Sequence, residues 1–310
     1  MAGASPSGAS KRTRLGLAYG VAAFGFWGLA PIYFKAVATV PAMEVLAHRI
    51  VWSAVVLGVV LTAKRRWSEV VAAVTDRRTL GVLAVTAVLI AVNWYLFIWA
   101  VANDRVLQAS LGYFINPLVN VFLGVMFLKE RLSRAGKIAV ALAAVAVAWL
   151  TVWGGELPWV SLVLAFSFGI YGLLRKQAPV KPVPGLTVET ALMLPAAVAF
   201  LALEVSRGGM YFGTGSMRLD LLLVAAGLVT AVPLLWFTAA ARLLPLSTLG
   251  FVQYLAPSLH FLLAVVVYGE ALTPQRLIAF GFIWCALAIF TVDQLRGRGQ
   301  RVPSRPEVRG

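Results

Sequence analysis

Residues 117–133 read PLVNVFLGVMFLKERLS, and residues 257–273 read PSLHFLLAVVVYGEALT. The two prolines lie 140 positions apart, and in each copy an acid, Glu130 or Glu270, follows 13 residues later with no gap. A shared x-Leu-Ser/Thr closes both copies, as Arg131-Leu132-Ser133 and Ala271-Leu272-Thr273. Upstream, Leu111-Gly112-Tyr113-Phe114 is echoed by Leu249-Gly250-Phe251-Val252 at an offset of 138. An apolar chain made of two related halves is the pattern of secondary transporters built from structural repeats.

Composition fixes the solvent. Of the 310 residues 61% are hydrophobic and 13% charged, with a mean hydropathy of +0.87, where a soluble domain carries about 25% charge. An aqueous fold could not bury that much apolar side chain. The single cysteine, Cys285, sits in an apolar run, which excludes a disulfide framework and a cysteine metal site. A net charge of +15 would point to nucleic acid in a soluble protein. Here the basic residues stand at the ends of apolar runs, so they indicate membrane topology and no nucleic-acid partner.

Ten helical spans are predicted, at 15–35, 44–62, 80–102, 106–128, 135–153, 158–174, 186–204, 219–241, 246–268 and 274–295. Each is long enough, at about 1.5 Å per residue, to cross or nearly cross a hydrocarbon core about 30 Å thick. Backbone polar groups cannot stay unpaired in lipid, so the spans must be helices. The fold expected is an all-α membrane protein of ten transmembrane helices. It comprises a first five-helix repeat, 15–153, and a second, 158–295, inverted relative to the first. The polar tails 1–14 and 296–310 read as disordered. Lys11, Arg12 and Arg14 precede the first span, but that span runs through Trp27, Pro31 and Lys35 without a small-residue cleavage motif, so it reads as an uncleaved helix. With both termini cytoplasmic, inner segments hold 21 of the 27 Lys and Arg, outer segments hold 5, and Arg49 lies inside the second span. A multi-pass protein of the inner (plasma) membrane is expected.

Three stretches carry a family resemblance: residues 165–176 (AFSFGIYGLLRK), 111–120 (LGYFINPLVN) and 44–52 (EVLAHRIVW). They resemble the RarD subfamily of EamA-family permeases, within the drug/metabolite transporter superfamily, and the likeness runs from about residue 15 to 295. The resemblance implies ten helices in two inverted halves and an inner-membrane permease role, often described through chloramphenicol sensitivity. It implies no substrate. The family's Gly-Glu is kept as Gly269-Glu270 but reads Lys129-Glu130 in the first half, where a cytoplasmic Lys fits the charge rule.

Pro117 and Pro257 fall near the middle of spans four and nine, where each would remove a backbone hydrogen bond and break its helix. Symmetry-related breaks at mid-depth are common sites in repeat transporters. Polar residues cluster there. Asn116 and Asn120, with Tyr113, share a helical face, and His260 takes the position equivalent to Asn120, with Gln253 and Tyr254 one turn before Pro257. Trp94 and Trp236, with Trp27 and Trp99, offer aromatic walls for an organic solute. Interhelical hydrogen bonding, worth about 0.6 kcal/mol per contact, is the alternative role for the polar group, and belt or packing roles stand beside the wall for the tryptophans. A second constellation opens span two. Glu44 and His48 are four residues apart on one face, followed by Arg49, and Glu189 holds the matching place in span seven. A carboxylate beside a histidine suits a proton relay. An acid at a helix N-terminus, neutralised by Arg49, explains the same residues structurally. Lys35 and Arg175-Lys176 read as snorkelling cations. Glu130 and Glu270, at span ends, read as helix and loop geometry.

No G-x-x-x-x-G-K-[ST], His-Glu-x-x-His or G-x-S-x-G motif occurs, and two histidines with one cysteine make no familiar metal site. No cofactor, metal or catalytic residue is expected. Two functions remain: a secondary transporter of small organic metabolites or drugs, chloramphenicol-like or amino-acid-like, and a lipid-handling membrane protein or intramembrane enzyme acting on headgroups. The expected partners are a small-molecule substrate and the lipid bilayer, and nothing selects an oligomeric state.

Overall fold

A computed structural model describes residues 6–128, 133–244 and 252–298. The landmarks Lys129-Glu130-Arg131-Leu132 and Leu249-Gly250-Phe251 lie outside the described residues. Every described regular element is helical: α1 Pro6–Ala36, α2 Ala42–Ala63, α3 Trp67–Thr75, α4 Arg77–Ala102, α5 Val106–Leu128, α6 Arg134–Trp153, α7 Trp159–Gln177, α8 Pro182–Arg207, α9 Met217–Leu243, α10 Leu255–Leu262 continued by a π segment Leu263–Val267, and α11 Pro274–Arg298. Among the described residues eight helices are long and apolar enough to cross a membrane, which makes this a multi-pass membrane protein. The expected sixth and ninth spans fall on apolar helices that are shorter, Trp159–Arg175 and Leu255–Val267.

Two boundaries correct the sequence reading. The helix of α1 begins at Pro6, so residues 6–14 are helical where a disordered tail was expected. Proline at the first helical position lacks only an N–H that had no partner anyway. Once the packed turns downstream have formed, extending the helix through exposed Arg12 and Arg14 costs little. The connection after α2 also holds an extra short helix, α3. Ala73 anchors it in a cluster with Leu83 and Val188, while Glu69 pairs with Arg66 and Lys181 on its polar side. Side-chain caps end several helices: Asp76 accepts the N–H groups of Arg78 and Thr79 at α4, Ser133 that of Gly136 at α6, and Ser216 that of Leu219 at α9. Hydrogen bonds from Thr79, its hydroxyl foremost, hold the Asp76 carboxyl below the usual carboxylate range.

Packing divides the chain into two compact units, and each takes a segment from each half of the sequence. The larger comprises Met1–Asn116 with Trp159–Ala271, the smaller Pro117–Pro158 with Leu272–Gly310. In the larger unit α1 lies against α9 and α10, α2 against α8 and α9, and α4 against α7 and α8. Phe24, Ala240 and Leu244 form one core with Trp27 and Phe237; Leu57, Leu61, Val183 and Leu186 form another with Trp94 and Leu234. In the smaller unit α6 packs along α11, through the buried stripe Gly136, Ala139, Ala143, Ala146 and Leu150. Trp149 donates to the Gln275 carbonyl at 3.2 Å, and Ser133 to Asp293 at 2.6 Å.

Lipid offers no hydrophobic drive for helix association, so close backbone approach through small residues matters. Among the described residues the closest backbone approach of one helix to another at a glycine is at Gly227 on α9, where a Cβ would lie 2.4 Å from the Trp52 carbonyl oxygen of α2. Gly227→Ala is therefore expected to force α2 and α9 apart and to destabilise the protein by about 1–3 kcal/mol, the usual range for overpacking. A detergent-purified variant melting at the wild-type temperature would contradict that close crossing.

Candidate functional site

The first turns of α2 carry three ionisable residues to two different places. Glu44 is 1% exposed, and its Oε1 accepts the backbone N–H groups of Tyr211 (2.9 Å) and Phe212 (3.3 Å) in the α8–α9 connection. His48, one turn on, brings Nε2 to 3.9 Å from the same oxygen, and its ring lies 4.9 Å from that of Phe212. The pairing of Arg49 with Glu44 does not form. Five positions along a helix turn Arg49 to a different face, and its guanidinium enters the middle of the larger unit. There Nε donates to Thr230 Oγ1 of α9 at 2.9 Å, and the group lies 4.1 Å from the Trp94 ring of α4 and 5.7 Å from Phe34 of α1. Tyr33 and Tyr113 stand within electrostatic reach of the charge.

Tyr113 links Arg49 to further polar groups. Its hydroxyl donates to Asn93 Oδ1 at 3.4 Å, and Asn93 Nδ2 donates to the Leu164 carbonyl (3.0 Å) and Ser167 Oγ (2.9 Å) on α7. The Tyr113 ring lies 5.8 Å from Phe97 and 5.7 Å from buried His260. His260 Nε2 is 3.0 Å from the Trp27 carbonyl, which can only accept, so Nε2 carries the proton and Nδ1 is a buried acceptor with no partner among the described residues. Side chains from α1, α2, α4, α5, α9 and α10 thus converge on one polar and aromatic cluster within the larger unit.

The other expected site residues are spread more widely. Asn116 is buried, with Nδ2 3.5 Å from the Ala165 carbonyl. Asn120 is exposed and belongs to the smaller unit. Tyr254 is half-buried and stacks with Phe114 at 6.5 Å, and Gln253, also half-buried, precedes it. Trp236 packs edge-on against Phe26 at 6.0 Å. Pro117 lies inside the continuous helix α5 and does not interrupt it. Pro257 sits in the first turn of α10, where its missing N–H strands no helical carbonyl; the Gln253 carbonyl is taken by the N–H of Ala256 at 3.3 Å.

Glu189 stands two turns inside α8, fully buried, apart from Glu44. It accepts from Thr86 Oγ1 at 2.6 Å and Tyr171 Oη at 3.3 Å, and Arg175 Nε lies 3.5 Å away. Arg175, read as snorkelling, is therefore an inward ion-pair partner. The bare face of Gly185 makes room for it, since a Cβ there would lie 2.2 Å from Arg175 Nη1. Lys35 pairs with Asp104 and lies over the Tyr268 ring at 5.5 Å. Glu270 accepts the first backbone N–H groups of α5, from Val106 (2.6 Å) and Leu107 (2.9 Å), which satisfies donors that a helix start leaves open. Sequence reasoning missed Asn93, Thr230, Thr86 and Tyr171. Thr86 and Asn93, seven residues apart in an apolar span, were visible as one polar face of α4.

Residues 14–152 match the EamA-like transporter family. An uncharacterised transporter of Vibrio cholerae is 51% identical over 281 residues, covering 91% of this chain and 93% of that protein. Protein RarD of Escherichia coli K12 is 48% identical over 287 residues, covering 92% of this chain and 97% of its own length. The chloramphenicol-sensitive protein RarD of Pseudomonas aeruginosa is 34% identical over 273 residues, with 86% and 90% covered. A protein of known crystal structure superposes with a TM-score of 0.57 at 19% identity, over 94% of this chain and 99% of that one, which shows the shared fold. With relatives this similar along nearly its whole length, the chain is a membrane transporter that belongs to the EamA-like family, in its RarD subfamily.

Proposed function

We propose that this chain is an inner-membrane secondary transporter of small organic metabolites or drugs. It works by alternating access between ten helices arranged as two inverted five-helix repeats. The observation that carries the reading is the convergence of Arg49, Asn93, Tyr113 and His260 inside a unit built from apolar spans. Ionisable and polar side chains are costly inside a membrane and mark substrate or ion pathways there. Tyr113, Asn116, His260 and Trp94 are the proposed site walls in the larger unit, with Gln253, Tyr254 and Trp236 as further contacts there; Asn120, in the smaller unit, is proposed separately as a substrate contact. The proposed solutes include amino-acid-like metabolites and chloramphenicol-like drugs, the latter supported by the name of the Pseudomonas relative. The Lys and Arg distribution, 21 inner against 5 outer, supports cytoplasmic termini. Reporter fusions at Met1 and Gly310 are expected to read cytoplasmic at both ends, and a periplasmic signal from either removes the ten-span topology.

Proton coupling is proposed through Glu44, tuned by His48. The ionised carboxylate grips the N–H groups of Tyr211 and Phe212, and charge-assisted bonds of this kind weaken on protonation. Proton uptake would therefore loosen the α8–α9 connection and remove a buried charge in one step. Glu44→Gln keeps an acceptor oxygen and mimics the protonated form. It should fold and exchange solute yet lose accumulation driven by a pH gradient in proteoliposomes; unaltered gradient-driven uptake would return Glu44 to a purely structural place.

Glu189 is proposed as the fixed partner of Arg175 and not as a second carrier. Glu189→Gln leaves the Arg175 charge uncompensated, which at a buried pair costs about 3–5 kcal/mol. A lower melting temperature is expected, and wild-type stability with lost proton coupling would exchange the roles of the two acids.

A further inference from the structure

Among the described residues the Arg49 guanidinium is a buried charge with no carboxylate beside it. Its residue is 8% exposed, among aromatic and apolar side chains. Among the described residues it makes one hydrogen bond, from Nε to the neutral hydroxyl of Thr230, which itself donates to the Ala226 carbonyl. Glu44, Glu189, Asp104 and Glu270 are engaged elsewhere. Glu44 holds the N–H groups of Tyr211 and Phe212, Glu189 holds Arg175, Asp104 holds Lys35, and Glu270 caps α5. The Trp94 face stabilises the cation through its π electrons but uses none of its N–H donors. A buried cation without a partner is strongly disfavoured, and a guanidinium fork matches a carboxylate bidentately.

We propose that Arg49 is the recognition point for an anionic substrate. The substrate is a small organic acid whose carboxylate takes the free Nη1 and Nη2 edge and whose compact apolar body lies against Trp94, Phe34 and Tyr113. The proposal deepens the transporter reading above and rests on it. Within the small organic metabolites proposed above it favours organic acids over the amino-acid-like and chloramphenicol-like solutes. An amino acid would bring an ammonium group to a place where the described residues offer no free carboxylate, and a neutral drug would leave the cation unbalanced. Loading an acid cancels the charge, so the loaded form crosses the closed intermediate more readily than the empty one. Such a carrier favours exchange of one acid for another.

The test compares small metabolites inside and outside cells that carry no protein, wild type, Arg49→Gln or Arg49→Lys, with equal amounts of protein in the membrane. Wild type is expected to shift carboxylates that lack an ammonium group. The shift should fall at least about tenfold in Arg49→Gln and be kept only in part by Arg49→Lys, which retains charge but not the planar fork. Shifts confined to neutral or cationic solutes, or kept in Arg49→Gln, overturn the anion proposal and leave the transporter reading standing. No wild-type shift at all overturns both. The purified Arg49→Gln protein is expected to melt at or above the wild-type temperature, because it sheds an unbalanced charge. A clear fall in melting would make Arg49 a packing strut and overturn its role in recognition.

Discussion

A polar group left unpaired in hydrocarbon costs several kcal/mol, and the described part of this chain is arranged around that cost. It explains why the described regular elements are all helices, since a helix satisfies its own backbone. It also explains the attention given to helix ends, where four donors and four acceptors stay open. Asp76, Ser133 and Ser216 each supply an acceptor from the residue before the helix, and Glu270 supplies one from a distant part of the chain to α5. Inside the spans, Asn93 spends its amide on Leu164 and Ser167, and Ser110 donates to the Pro257 carbonyl at 2.8 Å. Asn93 and Ser110 are thus locked in place by their partners.

That constraint separates structural from functional candidates better than residue type does. The Glu189 cluster is nearly closed: Thr86, Tyr171 and Arg175 surround one carboxylate, as in a fixed strut. Glu44 is held by backbone donors that belong to a connection and not to a helix, so the contact can open without unwinding a span. Arg49 has the least compensation for its charge. The order from closed to open is also the order in which a moving part could use these groups. The proposed roles, strut, switch and recognition point, follow it.

The spans were legible because length and hydropathy are local properties, and the four-residue step from Glu44 to His48 was legible because helical periodicity is local too. The partners of these residues were not. Arg49 meets Thr230 across 181 positions, Glu44 meets Tyr211 across 167, and Tyr113 faces His260 from another helix. Periodicity places a residue on a face but does not say what the face meets. Arg175 and Glu189 show the same gap at short range. Both stand near helix ends on hydropathy alone, where snorkelling and dipole effects explain them, yet the turn between α7 and α8 folds one onto the other. Pro257, read as a break inside its span, stands in the first turn of α10, directly after a turn at Gln253-Tyr254.

The repeat landmarks have a physical reason that the sequence alone could not supply. In the second copy the Pro257 carbonyl accepts from Ser110, and the Glu270 carboxylate accepts from Val106 and Leu107. Both landmarks therefore meet the first turns of α5, a stretch of five residues. Between them the chain adds a π segment, where the Tyr268 N–H reaches back to the Leu263 carbonyl at 2.8 Å, and then turns at Gly269, whose φ of +64° suits a residue without a Cβ. An insertion or deletion between proline and acid would move one contact while the other stayed fixed. The thirteen-residue spacing in this copy is thus set by two ends tied to the five-residue start of α5. Glycine at position 269 and an acid at 270 follow from the way the chain must turn to deliver a carboxylate to open backbone donors.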